Sequence, residues 1–570
     1  MTAEEVGNSF HIRFKFKPDI LRQIKAISGA RWVPSQSMWS VPSYQRARVQ
    51  ALIERYGEAA EIDDVPEQVG DMAEMPDPSQ EIIDFCNANL KLQPYTYQMQ
   101  GIERGSQLKK FINGDEPGLG KTIQSIATVL HTNAFPCLVI CPTTLKENWR
   151  REWSEKFTTK KSLILTDKIK NTWPAYLNHK MCDVMIVNYE SLKKYFVESI
   201  DIPKGQKLRL THIKLKEQVG LFKSVIIDEC HKLKDGTTQQ SKFSMLLAQG
   251  KEVAIGLTGT PYVNKVQDLI PQLLTIGKLN DFGGYKLFNA RYCSGYSGAS
   301  NLKELNYKLH QICFFRRLKA DVLKDLPDRI RQVVHSDIST RAEYDQAKND
   351  FVKFLKENKG NTDKEIRKKL RAEFIVKLQL LKGISAKGKL EDVFEWTDEI
   401  IDAGKKVVLF CQLRDIGDAV IARYKDLCVE IRGGISNEER QASIDRFQRC
   451  GQCGINHENH SNADHPYVNN DVKVILCGIK AAGVGVTLTA ASDVGFIEFP
   501  WTDADCDQCE SRCHRNGQKN SVRAAYFLGD KTVDQYCYDI IKNKRNISDQ
   551  IAGQTVVDEE VIDNMINLFS

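Results

Sequence analysis

A series of short apolar runs constrains this chain more than any other feature. Leu138-Val139-Ile140, Met185-Ile186-Val187, Ser224-Val225-Ile226-Ile227 and Ala254-Ile255-Gly256-Leu257 are each only a few residues long and alternate with stretches of helical spacing. Strands that are apolar on both faces must be covered on both, as parallel strands packed between helices are. The series restarts at Val407-Val408-Leu409-Phe410 and runs on through Val474-Ile475-Leu476 and Val494-Gly495-Phe496-Ile497, so two α/β units are expected. A length of 570 residues agrees, being too great for one hydrophobic core. Between the two series, about 340–400, Lys and Arg recur at helical spacing and the segment reads as helical.

The beginning of the chain is different. From Phe10 to Lys17 the residues alternate with a period of two, placing four apolar side chains on one face and four basic or potentially basic ones on the other. Pro18 and Asp19 suit a helix start, Ile20, Leu21, Ile24 and Ile27 supply an apolar stripe before Gly29, and Trp32 and Trp39 follow on extended chain. Residues 1–50 carry eight Lys/Arg against three Asp/Glu, whereas 57–90 carry ten acidic residues and no basic one. With Pro66, Pro76 and Pro78, the acidic stretch reads as an extended linker in which Glu81 to Leu90 can form a short helix. The net charge of +6 is too small to name a nucleic-acid partner; the basic, acidic, basic layout is the informative part. The start, Met1-Thr-Ala-Glu-Glu, lacks a leader's basic and apolar regions, and no run approaches the ~18 apolar residues of a membrane span. With 16 scattered cysteines, this reads as an intracellular, non-membrane, monomeric protein whose thiols are reduced or bind metal.

Two motifs carry chemistry. Asp115-Glu116-Pro117-Gly118-Leu119-Gly120-Lys121-Thr122 ends in the Gly-x-Gly-Lys-Thr of a phosphate loop and is expected to follow one helix and open another. Small glycines let backbone amides approach phosphates, Lys121 would neutralise β/γ-phosphate charge, and the Thr122 hydroxyl would take a place on Mg²⁺. The first glycine of the general pattern is missing, since Asp115 stands there. About 107 residues further on, Val225-Ile226-Ile227-Asp228-Glu229-Cys230-His231 delivers two adjacent carboxylates at the end of a strand, where α/β sheets place ligands. Asp228 would hold Mg²⁺ and Glu229 would orient and deprotonate an attacking water.

The remaining motifs come in a fixed order. They are Leu92-Gln93-Pro94-Tyr95-Thr96-Tyr97-Gln98, Cys141-Pro142-Thr143-Thr144-Leu145 with Asn148-Trp149, Asn188-Tyr189-Glu190-Ser191-Leu192, and Leu257-Thr258-Gly259-Thr260-Pro261. Together they resemble superfamily 2 helicases. Phe315-Arg316-Arg317-Leu318-Lys319-Ala320-Asp321-Val322 with Asp325-Leu326-Pro327 narrows the resemblance to the Swi/Snf-type ATPases. Arg432-Gly433-Gly434-Ile435-Ser436, Ala481-Ala482-Gly483-Val484-Gly485-Val486-Thr487-Leu488, and Gln508 through Gln518 extend it over about 91–550.

The resemblance implies an α/β fold of two RecA-like parallel-sheet lobes with ATP in the cleft between them. It makes Arg512 and Arg515 arginine fingers from the second lobe, beside Lys121, Asp228 and Glu229, and gives Gln98 the adenine edge and residues 115–122 the phosphates. Thr258 and Thr260 would link the nucleotide site to a DNA track. Thr143, Asn188, Gly485 and Thr487 sit in motifs that grip phosphates of duplex DNA without reading sequence. Pro117 in the phosphate loop, Cys230 in the Asp-Glu-x-His box and Asn516 depart from the family pattern without removing a charged group. The doubled tyrosine, Tyr95 and Tyr97, leaves open which one packs on the base.

The N-terminal stretch resembles the HARP domain of annealing helicases, a small α+β domain, through Phe14 to Ile20, Arg31-Trp32 and Trp39-Ser40. Arg13, Lys15 and Lys17 would meet phosphates there, and an exposed tryptophan could stack on an unpaired base; a core tryptophan pair beneath a solubilising basic strand is the alternative. Cys450-Gly451-Gln452-Cys453-Gly454, followed by His457, His460 and His465, lies in an insertion at 450–470. Zinc held by Cys450, Cys453, His457 and His460 would staple it, although His-x-x-His is shorter than the usual spacing; a polar loop is the alternative. Cys506, Cys509 and Cys513 share a helix face and read as core.

The expected layout is a HARP-like domain at 1–56, a linker at 57–90, a first lobe at 91–335, a basic helical segment at 336–400, a second lobe at 401–550 and a tail at 551–570. The function implied is an ATP- and Mg²⁺-dependent translocase on double-stranded or forked DNA that remodels or reanneals branches. A strand-separating DNA or RNA helicase, or a nucleosome remodeller targeted by a partner, are the alternatives.

Overall fold

The computed structural model describes residues 75–259, 266–293, 299–357, 364–457, 460, 463–482, 486–498, 500, 503–535 and 537–539, and much of 2–52. Two parallel sheets organise it. The first has seven strands in the spatial order Phe314–Phe315, Lys110–Asn113, Val253–Leu257, Ser224–Asp228, Cys137–Cys141, Val184–Asn188, Ser162–Ile164. The second has six, in the order Arg329–Ser336, Val522–Gly529, Asp493–Phe496, Val407–Cys411, Val474–Gly478, Cys428–Ile431. Every pairing in both is parallel. The fold is α/β with two RecA-like lobes.

Helices cover both faces, which is why the central strands read as unbroken apolar runs: every residue of Cys137–Cys141, Val184–Asn188, Val253–Leu257 and Val407–Cys411 is buried. In the first lobe one face packs on Trp149, Trp153 and Ile126, the other on Trp173, Phe196 and Phe243. Cys506, Cys509 and Cys513 lie inside the second lobe's core, as their spacing implied, although the helix Asp503–Glu510 ends before the third.

The chain crosses between the sheets earlier than the expected boundary at 335. Phe314–Phe315 closes the first sheet, and Arg329–Ser336 already pairs along Val522–Gly529 in the second. Helices Arg341–Glu357, Lys364–Gly388 and Leu390–Asp402 fill the segment expected to be helical. A buried ion pair of Lys389 with Asp534 ties the junction of the last two helices to the chain that follows the strand Val522–Gly529.

In the N-terminal module, strands Thr2–Val6, Ser9–Arg13, Met38–Pro42 and Arg31–Val33 form an antiparallel sheet in that order, backed by the helix Pro18–Lys25. Phe10 and Ile12 turn inward onto Ile20, Ile24 and Val41, as the alternation implied, on the strand Ser9–Arg13; residues 15–17 of the alternating run lie outside the described residues. Trp32 and Trp39 pair across the sheet with ring centroids 5.8 Å apart, and Trp32 is exposed. The acidic stretch ends in the helix Gln80–Asn89, capped by the Ser79 hydroxyl. No helix of the described residues is long and apolar enough to cross a membrane.

Candidate active site

The phosphate-loop sequence starts at the carboxyl end of the strand Lys110–Asn113 and runs into the helix Lys121–His131. A strand, not the expected helix, therefore precedes it; with only Phe111 and Ile112 apolar, that strand gives a weak signal. Gly118 and Gly120 have φ of +96° and +78°, the left-handed conformation that a side chain resists. Lys121 is drawn back over the loop, its Nζ donating to the Asp115 carbonyl at 2.7 Å. Burial lowers its pKa, against the opposing charges of Glu229, Asp115 and Asp228.

Asp115 explains its own departure from the glycine pattern. Its carboxylate is fully buried and grips the Arg317 guanidinium, which also meets Gln124 Oε1 at 2.7 Å and the Tyr97 carbonyl. The Arg317 amide donates to Asp115 Oδ1 at 2.9 Å and Gln124 Nε2 to Oδ2 at 3.0 Å. Asp115 thus holds the loop to the chain 202 residues later; its carboxylate does not face a nucleotide. Glu116 does the same for the next turn, accepting the Lys319 amide at 2.7 Å. Pro117 packs against Gly259, where an added β-carbon would stand 2.9 Å from the proline ring.

Gln98 backs the loop as well. Its Nε2 donates to the Leu119 carbonyl at 3.2 Å and its Oε1 accepts the Tyr95 amide at 3.0 Å, so both polar ends are engaged. Tyr95 and Tyr97 stack with nearly parallel rings, but Tyr97 is buried against Arg317 while Tyr95 is exposed. Beside Tyr95 opens a cavity of about 410 Å³, lined from the first lobe by Tyr97 and Gln100 and from the second by Asn516 and Gln518.

Asp228 and Glu229 stand at the end of the strand Ser224–Asp228. Glu229 has φ of +53°, a strained position for a residue with a side chain. The backbone bend aims the two carboxylates differently. Asp228 Oδ2 accepts Trp149 Nε1 at 2.8 Å, its carbonyl accepts the Tyr189 hydroxyl at 2.6 Å, and Oδ1 accepts the Glu229 amide at 3.0 Å. Burial, and then the charge of Glu229, raise Asp228. Burial would raise Glu229 too, but His231, 3.3 Å away, together with Lys121 and Arg512, outweighs it and holds Glu229 low. Glu229 Oε2 is buried, with His231 Nδ1 facing it at 3.3 Å.

The second lobe closes the cleft. A β-carbon on Gly118 would stand 3.2 Å from Arg515 Cβ and 3.5 Å from Lys319 Cε. Arg515 Nη1 donates to the Val486 carbonyl at 3.1 Å and to Thr487 Oγ1 at 2.7 Å. Arg512 is buried, and burial followed by the neighbouring Arg515 lowers it to about 10, opposed by Glu229 across the cleft. Both arginines lie in the turn that follows the helix Asp503–Glu510, whose last residue, Glu510, accepts Arg331 at 2.6 Å and the Tyr526 hydroxyl. Lys319 spans the lobes, donating to Ser511 Oγ at 3.0 Å and the His514 carbonyl at 2.6 Å. Burial and then Arg329 lower its pKa to about 7.

The SNF2-related domain model matches residues 44–387, well over half of the chain, and the helicase conserved C-terminal domain model matches 392–517. The chain belongs to the SNF2-related family. It is a helicase-like, DNA-dependent ATPase. The chain is 25% identical over 569 residues to a SWI/SNF-related matrix-associated actin-dependent regulator of chromatin subfamily A-like protein 1 homolog of Caenorhabditis elegans, covering 96% of this chain and 75% of that protein. It is 26% identical over 498 residues to the human DNA annealing helicase and endonuclease ZRANB3, covering 84% of this chain but 42% of that one. The Drosophila melanogaster counterpart of the first is spanned over 58% of its length, at 26% identity. Among solved structures, a Sulfolobus solfataricus SWI2/SNF2 ATPase core in complex with dsDNA aligns at 24% identity with a TM-score of 0.37, over 80% of this chain and 92% of that one.

For an SNF2-related ATPase the residues present fit a magnesium nucleotide: the adjacent carboxylates of Asp228 and Glu229 at a strand end, Lys121 among three carboxyl groups, and the Thr122 hydroxyl at a helix start. Three participants were not singled out from sequence: Arg317, Lys319 and Glu152. Glu152 begins a π-helical turn, Glu152–Phe157, and its buried carboxyl is raised by desolvation, opposed by Lys156, Asn148, Arg515 and Thr122. The Trp149-x-x-Glu152 spacing was the signal that could have found it.

The residues expected on DNA are only partly gathered by the SNF2-related ATPase. Thr143 Oγ1 and Asn188 Nδ2 both donate to Glu190 Oε2, at 3.3 and 2.8 Å, at the carboxyl ends of adjacent strands. Thr487 faces Arg515, at the cleft. Thr258 is buried with Oγ1 3.0 Å from His231 Nδ1, while Thr260 and Gly485 lie outside the described residues. Arg13 is on the N-terminal sheet, but Lys15 and Lys17 lie outside the described residues.

In the insertion, the expected ligand set is not the one that assembles. His457 turns away, its Nδ1 3.1 Å from Thr489 Oγ1, and His465 takes its place beside Cys450, Cys453 and His460.

Proposed function

We propose that this chain is an ATP-dependent translocase on double-stranded DNA that remodels or reanneals branched DNA. The observation that carries the reading is the contact of Arg515 with the phosphate loop at Gly118, because it lets a charge from one lobe sense the terminal phosphate bound by the other.

In this reading Lys121 and the amides of residues 116–120 hold the phosphates, with Glu116, Pro117 and Leu119 shaping the loop. Gln98 braces it, and Tyr95 offers an exposed ring to the base at the neighbouring cavity. Thr122 and Asp228 would hold Mg²⁺, which when bound neutralises phosphate charge and orients the terminal group. Glu229, kept ionised, orients the attacking water and takes its proton as the new bond to phosphorus forms and the bond to ADP breaks. Arg512 and Arg515 stabilise the charge that develops on the transferred phosphoryl group. Asp115 acts through Arg317 as a positioning residue.

The candidate DNA-facing elements reach the catalytic pair directly. Trp149, following Thr143, and Tyr189, following Asn188, both donate to Asp228. A backbone phosphate displacing the Glu190 contacts of Thr143 and Asn188 would therefore shift the groups that hold Asp228, which is how hydrolysis would depend on DNA. Thr487 joins the DNA-facing motif of the second lobe to Arg515, and Gly485 belongs to the same motif. Names of relatives that include "annealing helicase" support branched DNA as the substrate, with residues 1–56 supplying branch preference through Arg13, Lys15, Lys17 and the exposed Trp32.

The test is ATP turnover measured side by side with linear duplex, forked duplex, single-stranded DNA and RNA. Strongest stimulation by forked and linear duplex, without displacement of a paired strand, is expected. ATP-driven strand displacement, or stimulation by RNA alone, would favour the strand-separating reading.

A further inference from the structure

We propose that Cys450, Cys453, His460 and His465 bind one structural zinc ion, which closes the insertion onto the second lobe. One donor atom from each lies within 4.8 Å of every other. A zinc tetrahedron with bonds of about 2.3 Å to sulfur and 2.0 Å to nitrogen has edges of roughly 3.3–3.8 Å, so small side-chain movements complete it. The sequence spacing is Cys-x₂-Cys and His-x₄-His, the common one, whereas His457 gives a shorter interval.

The ligand atoms are prepared for a metal. His465 Nδ1 lies 2.8 Å from the Pro466 carbonyl, which can only accept, so that nitrogen carries the proton and Nε2 keeps its lone pair. Both His465 Nε2 and His460 Nε2 are buried without a hydrogen-bond partner, and His460 is 7% exposed. A buried ring nitrogen left unpaired is costly in an ordinary loop and is satisfied by a metal. Cys450 Sγ accepts amide protons from Gln452 and Val468, each at 3.5 Å, the arrangement that supports a metal-bound thiolate. The turn behind it is tight: Gly454 has φ of +73°, and a β-carbon on Gly451 would stand 3.1 Å from the Asn469 carbonyl.

Hydrogen bonds hold the base of the insertion: the Tyr467 hydroxyl donates to the Gln448 and Arg449 carbonyls at 3.1 Å, and Asn470 Nδ2 to the Arg446 and Arg449 carbonyls at 2.7 and 3.0 Å. Ile455 and Val468 are exposed, and among the described residues its strand pairing amounts to isolated bridges, Arg449 with Asn456 and Cys450 with Asn469. Four protein ligands leave no open coordination position, so the ion is structural and not catalytic. Its closure would fix the face on which His457 meets Thr489, whose carbonyl in turn accepts Gln518.

The full-length chain, purified without chelator and dialysed against metal-free buffer, is expected to carry one zinc ion per chain by elemental analysis. Cobalt(II) substituted for it should give intense visible bands of a tetrahedral site together with thiolate charge transfer. Cys450 and His460 are buried, and their variants could misfold, so Cys453→Ser and His465→Asn are the decisive ones. Each should lose zinc while retaining the circular dichroism of the parent, and His457→Asn should keep it. Absence of zinc after incubation with zinc chloride, or zinc retained in the Cys453→Ser, His465→Asn double variant, would overturn the site.

Discussion

Asp115 and Arg317 make a buried ion pair at the first position of the phosphate loop, and removing only the arginine strands a carboxylate in the core. Arg317→Met is expected to destabilise the first lobe by about 3–5 kcal/mol in urea unfolding; a change under about 1 kcal/mol would contradict the positioning role. That Asp115 departs from the glycine pattern is legible in the sequence. Its reason is not, because the partner lies 202 residues away and reveals itself only when the chain is folded. His514 gives a pH test. Burial, and then Lys319, hold its pKa down to about 4, with Arg329 opposing protonation, and Asp328 and the Pro327 carbonyl favouring it. The unfolded chain takes up this proton first, so the stability present above pH 6.5 should drain away as the pH falls towards 4. His514→Gln should flatten that part of the pH profile of unfolding; an unchanged slope would assign the acid sensitivity elsewhere.

At the scale of elements, strands covered on both faces were readable because burial forces every residue to be apolar. Lys110–Asn113, Phe314–Phe315 and Arg329–Ser336 were not, for two are very short and the third is an edge strand exposed or partly exposed at every residue but Ser336. Ser436 caps Asn437–Gln448 with its hydroxyl on the Glu439 amide at 3.1 Å, while Glu439 returns to the Ser436 amide at 2.8 Å. Ser436→Ala should cost about 1 kcal/mol of second-lobe stability in denaturant unfolding. Loop packing is tested by Gly259→Ala, whose new methyl group meets the rigid Pro117 ring at 2.9 Å. The loop must shift, and overpacking of about 1–3 kcal/mol predicts nucleotide affinity roughly tenfold or more weaker, read by calorimetry. Trp149→Phe, which deletes the indole donor to Asp228, should lower DNA-stimulated turnover by about tenfold, the worth of one hydrogen bond to a charged group.

At the scale of the whole molecule, two sheets meet where the segment 315–329 crosses between them. That crossing carries Arg317 towards the phosphate loop and Lys319 towards Ser511 and His514. The order of motifs made two lobes legible; which side chains touch across the cleft was not, since those contacts depend on how the lobes dock. The most direct measurement is single-turnover ATP hydrolysis at saturating duplex DNA, comparing the parent with Arg515→Ala, alongside nucleotide affinity. Hydrolysis slowed by about 10³-fold with affinity changed only a few-fold is the expected result, because the arginine acts on charge that develops during transfer. Undiminished hydrolysis in Arg515→Ala would contradict a nucleotide shared by the two lobes.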